Sequence, residues 1–311
     1  MNKRERLLSL LDTDLTPDAV PAAFFLHFAP EYHSGQAAVR RHLEYFQATN
    51  MDFVKIQYER HFPHVEAIQR PEDWARLPRV GPEFFAPQLE AVAGLVRAAK
   101  ADALVVQTLY SPFMCAGHTS ERVTEHLRAD PDSVRPGLEA ITEDVLWFVR
   151  ECIRLGVDGF YASTQGGERG RFDDPAIFRD YVRPYDLAVM QEINAACPFS
   201  ILHVCDYVAP YDDLTPFLDY PGQVVSYPLA LRGEPLAAAQ AARLFGRPVM
   251  GGLDRHGILA HGSTGEVLVA AQDVLAAAPE RFILGADCTL PADTPWANLR
   301  TAIDAAHAYC R

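Results

Sequence analysis

Eight short apolar runs recur along the chain, with room for a helix between most of them. They span residues 22–28 (AAFFLHF), 52–57 (DFVKIQ), 103–109 (ALVVQTL), 156–163 (GVDGFYAS), 199–205 (FSILHVC), 223–227 (QVVSY), 248–253 (PVMGGL) and 281–286 (RFILGA). Runs this short, apolar at successive positions and bounded by turn residues, suit strands buried on both faces of a parallel sheet. Longer helical patterns occupy 35–49, 82–100, 136–155, 175–196, 234–245, 264–278 and 294–309. The alternation predicts an α/β fold of the (β/α)8 TIM-barrel type. The rival, a doubly wound open sheet, lacks its glycine fingerprint, because 251–257 (GGLDRHG) does not have G-x-G-x-x-G spacing. No linker or low-complexity tract divides the chain. One domain over residues 1–311 is expected, with the charged, amphipathic residues 1–15 as an N-terminal helical extension.

Composition narrows the partners. Acidic residues outnumber basic ones 41 to 28, a formal net charge of −13. That argues against nucleic acid, whose phosphates need clustered cations, and against an anionic membrane surface. No apolar stretch approaches the ~18 residues that span a bilayer, and residues 1–15 lack the apolar centre of a secretory leader. The expected setting is cytoplasmic, as a monomer or homodimer, with thiols reduced. There the six cysteines, Cys115, Cys152, Cys197, Cys205, Cys288 and Cys310, are buried hydrophobes, metal ligands or nucleophiles.

A barrel concentrates its chemistry where the strands end. The sharpest feature there is His203-Val204-Cys205-Asp206. Alternation puts His203 and Cys205 on one face of the strand. Imidazole and thiolate at that spacing can share a Zn²⁺ ion, but one pair is too few, and a third soft donor is needed. Cys288 follows FILGA (282–286) as Cys205 follows FSILHV (199–204), so the expected metal ligands are His203, Cys205 and Cys288. Against this, a single cysteine at a strand end is most often packing. Glu168 and Asp287 are candidate fourth ligands, though each also reads as a surface acid. Asp206 or Asp254 would orient the ligating histidine. Glu168 and Asp254 are thus the candidate catalytic carboxylates. His27, Tyr110, His118, Tyr161, Gln165 and Tyr227 are expected to line the mouth, with Arg255 meeting an anionic group of the substrate. Plain packing is the simpler reading for each tyrosine, and solvation for His118. Cys115, Cys152, Cys197 and Cys310 carry no chemistry.

Several segments share a family resemblance. His203-x-Cys205 with Cys288 resembles the His-x-Cys … Cys zinc signature of the uroporphyrinogen decarboxylase-like superfamily, in its methyltransferase branch. Residues 111–118 (SPFMCAGH) resemble that family's G-P-F-T-x-A-G-H segment, and 156–160 (GVDGF) its G-A-D-A segment. Residues 285–291 (GADCTLP), with Asp293-Thr294-Pro295 and Asn298-Leu299, resemble its closing stretch. The resemblance runs from about Lys3 to the C-terminus. It implies a (β/α)8 barrel and a zinc-dependent methyltransferase, the metal activating a thiol or a similar nucleophile. The methyl group would come from or go to a corrinoid such as methylcobalamin, held by a partner protein or free, or another small carrier. No corrinoid-carrier motif (Asp-x-His-x-x-Gly) occurs in the chain. Decarboxylases of the family carry R-Q-A-G-R after the first strand. Here 24–32 reads FFLHFAPEY, without the arginines that meet a polycarboxylate substrate. The remaining alternatives are a metal-independent decarboxylase or lyase acting on a small acid, and a non-catalytic corrinoid- or pterin-binding module.

Overall fold

The computed structural model describes residues 1–15 and 17–309. Seven of the eight runs form the parallel strands of one curled sheet. They are β1 (Phe53–Ile56), β2 (Leu104–Tyr110), β3 (Gly159–Thr164), β4 (Ile201–Val204), β5 (Val224–Ser226), β8 (Val249–Leu253) and β9 (Phe282–Ala286), in the order β1-β2-β3-β4-β5-β8-β9. A two-stranded antiparallel ribbon, β6 (Ala230–Leu231) with β7 (Glu234–Pro235), follows β5. The helices that cover the sheet include Gly35–Thr49, Pro82–Ala99, Pro131–Leu155, Arg183–Ala196, Thr264–Ala277 and Trp296–Ala308.

The run at 22–28 is not a continuous strand. It touches β9 and the residues after it through isolated parallel bridges, Ala22 to Leu284 and Leu26 to Leu290. The amide of Ala22 turns instead to the carboxylate of Asp52 at 2.7 Å, while the Asp52 amide donates to the Ala22 carbonyl at 3.0 Å. A side chain has taken the place of a ladder acceptor. Asp52 is fully buried and also accepts from Arg6 at 2.6 Å and pairs with His307 at 2.8 Å. One carboxylate therefore fastens the N-terminal helix Lys3–Ser9 and the C-terminal helix to the start of β1. Asp158, before β3, does the same for its neighbours. It accepts from the Val105 amide at 2.9 Å and pairs with Arg4 at 2.8 Å.

Two helix boundaries depart from the pattern. The long helix begins at Pro131, because Asp130 accepts from the Ser133 amide and Pro131 suits the first turn. Glu143 and Asp144 lie in the middle of this helix. Asp144 holds Arg79 and the Val80 amide. The helix expected over 234–245 begins only at Ala238. Arg232 and Gly233 adopt positive φ (57° and 82°) and turn the chain into the ribbon, which takes up Glu234 and Pro235. Short helices at Pro112–Thr119, Val123–Ala129 and Ile258–His261 add to the predicted set. Among the described residues no helix is long and apolar enough to cross a membrane.

The β3–β4 junction leaves no space for a side chain at Gly159, where a Cβ would lie 1.3 Å from the Phe199 carbonyl oxygen. Relief requires backbone movement in a buried sheet. Gly159→Ala is expected to destabilise the fold by about 3 kcal/mol, measured by urea denaturation. A change within error would show that the junction is loose.

Candidate active site

Register builds the site. The parallel pairing of β3, β4 and β5 sets Ser163 beside His203 and His203 beside Ser226. Tyr161, two residues before Ser163, shares their face. The Ser226 hydroxyl lies 3.0 Å from His203 Nδ1 and 3.0 Å from the Tyr161 hydroxyl. The Tyr161 ring packs at 4.9 Å against the imidazole. With Nδ1–H donating to Ser226, His203 Nε2 carries the lone pair. That atom is buried and has no hydrogen-bond partner.

Two thiols face it. The Cys205 amide donates to the Thr164 carbonyl at 3.1 Å, and the Tyr211 hydroxyl donates to the Cys205 carbonyl at 3.1 Å. The first bond extends the β3–β4 pairing to Cys205, and the second ties its carbonyl to the loop that follows. Cys288 follows β9, where the Asp287 amide donates to the Leu253 carbonyl at 3.1 Å. The Cys205 and Cys288 sulfurs are 4.0 Å apart, and one donor atom from each of His203, Cys205 and Cys288 lies within 4.8 Å of the others. Two thiolates on a tetrahedral zinc ion, each bonded at about 2.3 Å, are roughly 3.8 Å apart. An unpartnered buried nitrogen beside two sulfurs at that separation is a donor set that fits a soft divalent ion.

The two thiols share their protons unequally. The hydrogen bond from Cys205, with His203 and Arg255 nearby, holds Cys288 well below the usual thiol range. The same hydrogen bond, together with burial, holds Cys205 above it. Gln165 donates its amide to Cys205 Sγ at 3.4 Å.

The other expected residues divide. Tyr161 and Gln165 join the site as described. Glu168 is buried, but its carboxylate accepts from Arg171 at 3.0 Å through each oxygen and from the Gly166 amide at 2.8 Å. It shapes the loop after β3 and does not belong to the three-residue donor group. Asp254 is exposed and accepts from the His256 amide at 2.8 Å, a local turn bond. The hydroxyl of Ser226, not a carboxylate, orients His203. Arg255 is held by Asp206 at 2.8 Å and by Asp287, whose other oxygen accepts the Arg255 amide at 2.7 Å. His27 is exposed and pairs with Glu59 at 2.8 Å. His118 stacks on His61 at 4.2 Å, and Tyr110 packs edge-on against it. Burial, then the neighbouring His61, pushes His118 down to about 4. Tyr227 is fully buried. Cys115, Cys152 and Cys197 are buried free thiols, and Cys310 lies outside the described residues. A separate cleft of about 270 Å³, lined by Phe62, Val65, Leu77, Val80, Phe84 and Ile141 among others, includes none of the expected site residues.

Lys55 escaped the sequence reading. It sits in β1 on the same strand face as Gln57 and is buried, with Nζ 4.6 Å from the Phe25 ring centroid and 4.8 Å from that of Tyr161. The signal was available, since it is the one cation in an apolar run, DFVKIQ.

Comparison with known proteins places these features in context. The family model described as Uroporphyrinogen decarboxylase (URO-D) matches residues 46–309. A methyltransferase from Methanosarcina mazei is similar in structure, with a TM-score of 0.77 over 98% of both chains at 16% identity. A B12-independent methionine synthase from a Shewanella species, in complex with selenomethionine, superposes with a TM-score of 0.56. That match covers 94% of this chain and 95% of the other at 13% identity. At these identities the likeness is one of fold. A comparison with curated protein sequences returns no match.

Burial pushes the Lys55 amine down to about 7 from its ordinary value of 10.5, against the charges of Cys288 and Glu59. Between those two pH values the folded chain holds fewer protons than the unfolded one, so stability rises with pH. The stability of the wild type relative to Lys55→Met is therefore expected to climb from about pH 7 to about pH 10. Parallel stability–pH curves, from denaturation at several pH values, would contradict the perturbed amine.

Proposed function

Because the chain belongs to the uroporphyrinogen decarboxylase (URO-D) family, we propose that it is a zinc-dependent methyltransferase that delivers a methyl group to, or takes one from, a small thiol. The observation that carries this reading is the donor set itself. His203 Nε2 is buried without a partner beside the sulfurs of Cys205 and Cys288. The fold likeness to a protein named a methyltransferase, over nearly all of both chains, supports it. On this reading the sheet and the segment around Ala22–Leu26 together make up the (β/α)8 barrel, and the donor set stands at its mouth.

His203, Cys205 and Cys288 would hold the metal. Zinc bound there would favour the thiolate form of a substrate thiol at its open position and leave that sulfur nucleophilic. The chain's own residues prepare the site. Ser226 and Tyr161 fix the imidazole so that Nε2 faces the sulfurs. The Gln165 amide draws charge from Cys205. The Arg255 link between Asp206 and Asp287 braces the segments after β4 and β9 that carry the two thiols. In the transfer, a sulfur–methyl bond forms as the donor–methyl bond breaks. The bonding pair of the old bond stays with the donor, and the thiol proton leaves to solvent. A corrinoid such as methylcobalamin, on a partner protein or free, is the proposed carrier. The fold is also that of a B12-independent methionine synthase, so a corrinoid-free carrier fits the same frame. In the metal-independent decarboxylase reading, Arg255 would meet the substrate's acid group, but Asp206 and Asp287 already neutralise it.

Purified protein is expected to contain about one zinc per chain by elemental analysis, the content of a single site of this donor set. The Cys205→Ala, Cys288→Ala double variant should lose it, and near-stoichiometric zinc in that variant would reject the reading. Ser226→Ala should weaken zinc binding roughly ten- to a hundredfold in a chelator competition, and Ser226→Thr should restore it. Zinc affinity should fall as pH falls, because metal binding must displace the protons on the thiol pair.

A further inference from the structure

We propose that Lys55 anchors a carboxylate of the substrate, which makes the substrate thiol a small mercaptocarboxylate. This deepens the methyl-transfer reading and rests on it for the thiol. The geometry of the anchor is independent of the metal.

The ammonium stands on the same side of the sheet as the donor set. One face of the Tyr161 ring carries Lys55 Nζ, and that ring also borders the His203 imidazole at 4.9 Å. Tyr161 therefore borders both the amine and the imidazole of the donor set. That is a reach suited to a molecule with its sulfur and its acid group a few bonds apart.

Among the described residues, Lys55 also has no carboxylate in contact with its amine. Its hydrogen-bond partner is the neutral amide oxygen of Gln57 at 2.7 Å, and two aromatic faces complete its surroundings. No carboxylate pairs with it among the described residues. The nearby acids are already occupied. Glu59 is bound by His27 at 2.8 Å and by the Phe28 amide at 3.3 Å. Asp206 and Asp287 are bound by Arg255. A buried cation without an anion is costly, and an entering carboxylate would remove that cost.

The choice of lysine points the same way. The chain has three lysines, Lys3, Lys55 and Lys100, among 28 basic residues. Arginine, which meets nearly every other need for a cation here, cannot shed its charge on burial, whereas lysine can. Lysine at position 55 tolerates an empty site in its neutral form and becomes an ammonium when an anion arrives. The lowered basicity of its amine agrees with that behaviour.

Calorimetric titration of the protein as purified tests the proposal with three probes: 3-mercaptopropionate, 2-mercaptoethanol and propionate. A desolvated charge-assisted bond should make 3-mercaptopropionate bind about ten- to a hundredfold more tightly than 2-mercaptoethanol. The preference should vanish in Lys55→Met, with zinc content unchanged. Propionate should bind the wild type and slow acetylation of Lys55 by acetic anhydride, mapped by mass spectrometry, without slowing that of Lys3 or Lys100. This labelling needs no variant and decides the matter even if Lys55→Met does not fold. Equal affinity for the two thiols, a preference that survives Lys55→Met, or acetylation of Lys55 indifferent to propionate would overturn the anchor. If neither thiol gains affinity over propionate while Lys55 is still protected, the methyl-transfer reading fails and the carboxylate site stands.

Discussion

Ser226 sits between two side chains from neighbouring strands, 3.0 Å from Tyr161 and 3.0 Å from His203. An imidazole has two nitrogens, and whichever is held by a hydrogen bond decides what the other can do. Here the bond is at Nδ1, so Nε2 faces the sulfurs. The bond exists because β4 and β5 pair with His203 level with Ser226. A slip of one residue in that pairing would turn the hydroxyl to the opposite face of the sheet. The orientation of the histidine and the shared hydrogen bond to Tyr161 depend on this register, while the pairing of β1, β2 and β3 brings Lys55 to the same ring.

Much of this was legible in the sequence. Seven strands and most of the long helices fall where apolar runs and helical patterns lie, because burial on both faces leaves a strong signal. The grouping of His203, Cys205 and Cys288 could be anticipated because equivalent ends of parallel strands meet at one face of the sheet. What failed was local. The run at 22–28 has the composition of a strand, yet the Asp52 side chain takes up its first amide, and no pattern of apolar residues announces that. The carboxylates chosen from the sequence, Glu168 and Asp254, found partners within their own loops. Nearby backbone amides and an arginine three residues away outcompete a distant site. Ser226 was passed over as an orienter because a hydroxyl carries no charge to draw attention.

Charge follows a consistent pattern in the molecule. The surface is strongly acidic, with a formal charge of −13, while each acid near the donor set is tied to a cation or an amide. Arg255 serves two carboxylates at once, so the segments that carry the thiols are cross-braced. Lys55 is the exception, a buried cation facing aromatic rings and an amide oxygen.

Between the two ends of the strands lies a layer of aromatic rings. Phe25 packs on Phe53 at 5.5 Å, Phe53 on Phe199 at 6.1 Å, and Phe25 on Tyr161 at 5.5 Å. Below it are Asp52 and Asp158, whose ion pairs hold the chain together. Above it is the donor set. The layer sets the two polar ends apart by the depth of an apolar core, so each makes its hydrogen bonds and ion pairs within its own end. Residues at the mouth can then be exchanged, by evolution or by design, without disturbing the ionic clasp on which folding relies. The reverse also holds, and a scaffold divided in this way can acquire a new substrate while remaining the same protein underneath.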